Sequence, residues 1–276
     1  MPIAIVTDSG CSLPPGVDAV VVPLRVRMGG VDHAETDLTA DQFVTALRSG
    51  VALATSQPAP QAFATAYAKA VADGASAIVS IHLSEALSGT CASARTGARD
   101  SAVPVQVLDS ASAGFGLGFA VRAAVDAAGS GAAAVDVVAA VEDSLRRTEV
   151  LFYVDTLEFL RRGGRIGSAA ALLGSALSVK PILRLDAGKI VAAEKVRTAA
   201  RGLARLAELA VAAGGGDAEY GVQHVGATER AAELAARLGE LDPAAGPVVL
   251  GEVGAAIGAH VGPGTLAVTV RRRRAS

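Results

Sequence analysis

The residue types best suited to holding an acid sit in Leu83–Ala94, LSEALSGTCASA. A strand-like run, Ala75–Ile81, leads into it and a helical stretch through Arg95 follows. A strand-to-helix turn aims the unpaired amides of the helix's first turn into a crevice, where the macrodipole adds a partial positive charge. Ser88 and Thr90 place hydroxyls, and Gly89 bare backbone, beside those amides. The turn therefore reads as a site for the acidic head of a small molecule. Read alone, a Ser-Gly-Thr is a set of ordinary caps; the preceding strand favours the site.

Other residues suit the same head group. Arg165 follows Gly163-Gly164, which read first as a helix stop. Its guanidinium supplies the bidentate pairing that a carboxylate takes, and the glycines let backbone approach a cleft. His260 lies in the glycine-rich run Gly258–Gly264 ahead of a final strand. Glycine carries extra ordering entropy, so a histidine held there is read as a donor to the head group. Thr55 and Ser56 precede a helix, where polar residues usually cap; Thr55 is nevertheless assigned to the ligand. Asp8 and Ser9 would shape the rim. A buried carboxylate repels an acid ligand, so Asp8 is not made a contact. His33, His82 and His224 are read as structural.

Composition bounds the rest. The chain has 276 residues, 51% hydrophobic and only 3% aromatic, so any cavity must be lined mainly by Ala, Val and Leu. A net charge of −2 gives no reason to expect nucleic acid. Cys11 and Cys91 make neither a disulfide scaffold nor a zinc site and fit a reducing cytoplasm. The start, MPIAIVTDSG, lacks a basic n-region and is interrupted by Asp8, so it is not read as a signal peptide. Phe119–Val141 is broken by Arg122, Asp126 and Asp136, which predicts amphipathic helices and no membrane span. Gly114–Gly118 has the wrong spacing for a dinucleotide loop, and no phosphate-binding G-x-x-x-x-G-K-[ST] occurs, so no cofactor or ATP site is expected. Arg271–Arg274 reads as a solvated tail, with transient contact to an acidic partner or an anionic membrane surface as the lesser reading.

These residues must be positioned by an alternating pattern. Apolar strands are expected at Ile3–Thr7, Val20–Val26, Ala77–Ile81 and Val105–Leu108. Helices are expected from Thr39, from Pro60 and over the long stretch up to Arg147, broken near Gly129–Gly131. Alternation of this kind predicts a parallel α/β sheet, covered on both faces, over residues 1–150. Ligands of such sheets lie at the strands' carboxyl ends, where Asp8-Ser9, Ser88–Thr90 and Asp109-Ser110 fall. Thr55–Pro58 is expected as a hydroxyl-rich loop on the same rim. After Val150 the rhythm changes to hairpins mixed with helices, including Lys180–Leu185 and Ile190–Val196 around Asp186–Lys189 and a helix over Ala169–Leu177. Residues 151–276 are therefore expected to form an α+β domain with a mixed sheet, packed closely on the first.

Taken together, the motifs resemble the DegV family of fatty-acid-binding proteins. They are IVTDSGCSLP at Ile5–Pro14, TSQP at Thr55–Pro58, LSGT at Leu87–Thr90 and LDSASAGFGLG at Leu108–Gly118. DTLEFLRRGGRIG at Asp155–Gly167, VKPIL at Val179–Leu183 and AHVGPGTLAV at Ala259–Val268 follow. Each is weak alone; seven in order are specific. The resemblance implies a long-chain fatty acid buried between two domains. Its carboxylate would be held by Thr55, Ser88, Arg165 and His260 and phosphorylated by a separate fatty acid kinase protein, this chain being a carrier and not the enzyme. Phe115, Leu172, Leu173, Leu177 and Ile257 are expected tail-pocket residues. Two departures bear on ligand choice: Ala59 stands where the family often has serine, and Cys91 where an aromatic residue often follows SGT. Burying some fourteen methylenes at about 0.8 kcal/mol each contributes on the order of 11 kcal/mol before ordering costs, so the tail would supply affinity and the polar groups orientation. Two other readings stay open: an acyl hydrolase or transferase using Ser88 with His260 and Asp109, although G-x-S-x-G is absent, and a binder of small anions such as phosphosugars.

Overall fold

The computed structural model describes residues 2–172 and 180–274. In the first half the chain runs β1 (Ile3–Asp8), β2 (Val20–Val22), β3 (Arg25–Met28), β4 (Val31–Ala34), α1 (Ala40–Arg48), β5 (Leu53–Ser56), α2 (Pro60–Ala72), β6 (Ala77–His82), α3 (Thr90–Gly97), β7 (Val105–Asp109), α4 (Phe115–Gly129) and α5 (Ala134–Arg146). The second half runs β8 (Thr148–Tyr153), α6 (Glu158–Arg162), β9 (Lys180–Asp186), β10 (Lys189–Val196), α7 (Ala199–Gly214), β11 (Ala218–His224), α8 (Thr228–Leu241), β12 (Val249–Glu252), α9 (Ala255–Val261) and β13 (Leu266–Arg272).

Local chemistry accounts for many of these boundaries. Thr39 and Gln42 form a reciprocal capping box at the start of α1, Pro60 opens α2, and Gly215 ends α7 in the left-handed conformation. Ala187 and Gly188, both at positive φ, make the β9–β10 turn. The expected strand Val20–Val26 is instead two. Pro23 has no amide to donate, so β2 stops there; β3 leaves the parallel sheet and pairs antiparallel with β4 and β5. Thr55 and Ser56, expected in a loop, therefore lie on a strand. Of the expected helix Ala169–Leu177, the part up to Leu172 belongs to a 3-10 helix, Gly167–Leu172, and the remainder lies outside the described residues.

Strands β2-β1-β6-β7 form a wholly parallel sheet, and β10-β9-β8-β13-β11-β12 a mixed one in which β11–β12 is the parallel pair. Burial follows the period of two. On β6, Ile78, Ser80 and His82 turn toward Phe63 and Tyr67 of α2, whereas Val79 and Ile81 turn into the core with α4 and α5. The α4–α5 pair packs against β1 and β6 on one side and β8 and β13 on the other. Helices α7 and α8 close the far face of the mixed sheet over Leu206, Tyr220, Leu234 and Val268. The molecule is thus layered helix, sheet, helix, sheet, helix, and its largest core, from Ile5 and Val79 to Phe152 and Leu183, crosses the shared middle layer. Among the described residues no helix is long and apolar enough to cross a membrane.

Arg271–Arg274 is in part the solvated tail expected: Arg272, Arg273 and Arg274 are exposed, but Arg271 and Arg272 belong to β13 and all four are ion-paired. Arg271 pairs with Glu219, Arg272 with Glu149 at 3.5 Å, Arg273 with Asp217 at 3.1 Å and Arg274 with Asp143 at 3.0 Å. Acidic residues on neighbouring elements neutralise the run against the body of the protein.

Candidate functional site

The turn after β6 is built by a buried carboxylate. Asp8, at the end of β1, accepts from the amides of Gly10 and Leu83 and from Nδ1 of His82. Nε2 of His82 bonds Ser80, which bonds Tyr67. Asp8, Ser80 and His82 are wholly buried, so this relay holds the turn and touches no cavity. Beyond it, Ser88 bonds the Thr90 hydroxyl at 2.8 Å, and Gly89 caps α3 without any side-chain acceptor. A Cβ at Gly89 would collide with the Gln57 amide, which itself bonds Ser93.

Thr55 arrives on β5, registered against Val26. Its hydroxyl lies 2.7 Å from His260 Nε2. His260 is not in a glycine-rich loop but in the last turn of α9. The neighbouring glycines serve packing: Cβ atoms at Gly258 and Gly262 would strike the rings of Phe43 and Phe159. Arg165 follows α6 and donates from Nε to Leu87 O at 3.0 Å and from one terminal nitrogen to Gly163 O at 2.6 Å. The guanidinium is thereby fixed against the LSGT segment.

Thr55, Ser56, Ser88, Gly89, Arg165 and His260 all line one cavity of about 320 Å³. Its other walls are aliphatic, chiefly Leu24, Leu83, Leu87, Leu160, Ile190 and Ile257. A second chamber of about 80 Å³ shares Leu87, Ala113, Ile190, Ile257 and Val261 with the first and is closed by Phe152, Leu185, Val253 and Ala267, with Gln223 and Thr265 at its wall. It lies between the rim of the parallel sheet and the inner face of the mixed sheet. The space is polar at one end and apolar beyond. On the outside, Thr55, Arg165 and His260 also border a surface cleft of about 570 Å³.

Burial, and next the Arg165 guanidinium, push His260 down to about 4, so its imidazole is neutral at pH 7. Its Nδ1 is buried and has no hydrogen-bond partner among the described residues. Arg165 is then the fixed positive charge at the polar end, beside three neutral donors. Among the described residues no group of His, Cys, Asp and Glu could hold a metal ion.

Some expected residues lie elsewhere. Ser9 does not reach the cavity: its hydroxyl donates to Glu35 and accepts from Leu24 N at 2.8 Å. Thr90 is fully buried behind Ser88. Phe115 lies flat beside Phe119 and fills space over Gly221 and Gly251, outside both chambers; a ring there replaces the missing side chains of the mixed sheet. Leu172 is buried in the main core away from the lining. Leu173 and Leu177 lie outside the described residues. Ala59 and Cys91 line neither chamber; Cys91 is buried with its thiol toward Leu83 O. Ile257, expected in the tail pocket, lines both chambers. Gln57, although inside TSQP, and the wall leucines Leu24, Leu83, Leu87 and Leu160 were not read as site residues, because isolated leucines carry no signal of what they enclose.

The DegV family model, described as an uncharacterised protein family, matches residues 2–273. The chain belongs to the DegV family. This DegV chain is 44% identical over 279 residues to a DegV domain-containing protein of Streptomyces coelicolor, covering 98% of this chain and 99% of the relative. Its fold matches that of a DegV family protein from Thermus thermophilus, described as fatty acid binding, with a TM-score of 0.91 and 33% identity over 99% of this chain and all of the other. It likewise matches DegV from Bacillus subtilis, described as a fatty acid binding protein, with a TM-score of 0.88 and 30% identity over 99% of this chain and all of the other.

Proposed function

We propose that this DegV chain binds a long-chain fatty acid and presents its carboxylate to a separate fatty acid kinase, which phosphorylates it to the acyl phosphate. One observation carries the reading: Thr55, Ser88, Arg165 and His260 converge on the polar end of a space whose continuation is aliphatic. Arg165 supplies the charge that a carboxylate needs and the hydroxyls of Thr55 and Ser88 supply donors. His260 orients Thr55 and completes the set as a neutral group. The tail removes its methylenes from water against Leu87, Ile190, Ile257 and Phe152. Ser56, Gln57 and Gly89 are exposed at the rim, which leaves the carboxyl end approachable by a partner. The fatty-acid-binding descriptions of the Thermus and Bacillus relatives support the choice of ligand.

The hydrolase reading has no such support. Ser88 bonds Thr90, His260 bonds Thr55, and Asp109 is spent on the amides of Glu85 and Ala111. A nucleophile needs a base within hydrogen-bond reach. Nor do the aliphatic walls suit a small polar anion.

The test is to load the protein with a fatty acid, add ATP and a fatty acid kinase catalytic protein, and trap acyl phosphate with hydroxylamine. Hydroxamate is expected only when both proteins are present. Hydroxamate from this chain and ATP alone would make it an enzyme, and none from the pair would remove the kinase from the account.

A further inference from the structure

We propose that Glu35 is a positioning residue for the acid head group: its buried carboxylate fixes the start of α9, and α9 in turn fixes the imidazole of His260. The inference rests on the fatty-acid reading and adds a residue that does not touch the ligand.

Helix α9 has seven residues, and its cap, Gly254, offers no side chain. A helix this short does not hold itself together in water. Its start is held from outside. Glu35, 6% exposed, accepts the Ala256 amide at 2.7 Å across 221 positions of sequence. The other carboxylate oxygen takes the Ser9 hydroxyl. A side chain at Gly254 would collide with the first oxygen, so glycine there is the fit between helix and carboxylate. A negative group at a helix's first amides also complements its dipole. One turn beyond Ala256, His260 bonds Thr55. The helix is therefore tethered at both ends, by Glu35 and by Thr55. Ala256, Ile257 and His260 line the cavity; Glu35 and Ser9 do not.

Head-group positioning and general support of the fold predict different ligand selectivity. Affinities for palmitic acid and for hexadecanol, which shares the tail and lacks the carboxylate, are compared by titration. In Glu35→Ala, acid affinity is expected to fall about fivefold to tenfold, the size of one lost cap, with a clearly smaller loss for the alcohol, which shares only the apolar contacts of α9, Ile257 and Val261. Glu35→Gln, whose amide oxygen can still accept from Ala256, is expected to restore most of the acid preference. In a His260→Ala background, Glu35→Ala should not change the acid-to-alcohol ratio further. Equal losses for acid and alcohol, or an unchanged acid affinity, would overturn the proposal. If Glu35→Ala does not fold, Gly254→Ala, whose methyl would displace the Glu35 oxygen, carries the same comparison: a greater loss for the acid than for the alcohol supports the proposal, and equal losses or none overturn it. Wild-type protein that binds neither ligand removes the fatty-acid reading and this inference together. Wild-type binding with an unmoved ratio in the variants removes the inference alone.

Discussion

At the level of single residues, the polar end of the cavity depends on one permanent charge. Arg165→Ala removes the only Lys or Arg lining it among the described residues and with it the charge-assisted bonds to a carboxylate, worth about 1.5–3 kcal/mol. Fatty acid affinity is expected to fall about tenfold to a hundredfold with the thermal midpoint of the apo protein little changed; unaltered affinity would take Arg165 out of the site. His260 gives a pH signature. Its pKa lies near 4 in the fold, below the 6.5 of an unperturbed imidazole, so the unfolded chain binds more protons between those values. Its contribution to apo stability is present above pH 6.5 and is lost as pH falls toward 4. A bound carboxylate favours the protonated imidazole, so the loss should be smaller with fatty acid present. Thermal melts between pH 7 and 4.5 check this: His260→Gln should flatten the apo slope, and an unchanged slope would assign it to other groups. Ser88, Arg165 and His260 were legible because polar residues next to glycines advertise themselves. Glu35 was not, since the surrounding HAETDLT reads as surface until a distant helix is seen to end on its carboxylate.

Short elements aim these groups, and close backbone approach decides where they point. Gly163 has ordinary helical φ of −75°, so its backbone tolerates alanine. A Cβ there, however, would occupy the place of His260 Nδ1. Gly163→Ala is expected to push the imidazole off Thr55 and weaken fatty acid binding severalfold while circular dichroism stays unchanged. Full binding by that variant would mean that the imidazole's place is not needed. Alternating strands and helices up to Arg147, the β9–β10 hairpin and α7 could all be read from periodicity and turn residues. The β3–β4–β5 sheet could not, because its strands are short and polar and its existence turns on Pro23 diverting the chain. The helical state of α9 was hidden by Gly258 and Gly262, which read as loop until Phe43 and Phe159 are seen packed against them.

For the molecule as a whole, the helical middle layer ties both sheets into one core. Leu117 of α4 is completely buried in that core. Leu117→Ala is expected to cost about 2–5 kcal/mol and to lower a single unfolding transition reported alike by probes in either half; two separated transitions would show that the halves unfold independently. The same layering encloses a tail against aliphatic walls while leaving the acid end at a rim. Mass spectrometry of the purified protein after denaturation tests this most directly. One long-chain fatty acid is expected to be released per chain, and less from Arg165→Ala. Wild-type protein that carries no lipid and takes up none when a long-chain fatty acid is added would contradict it.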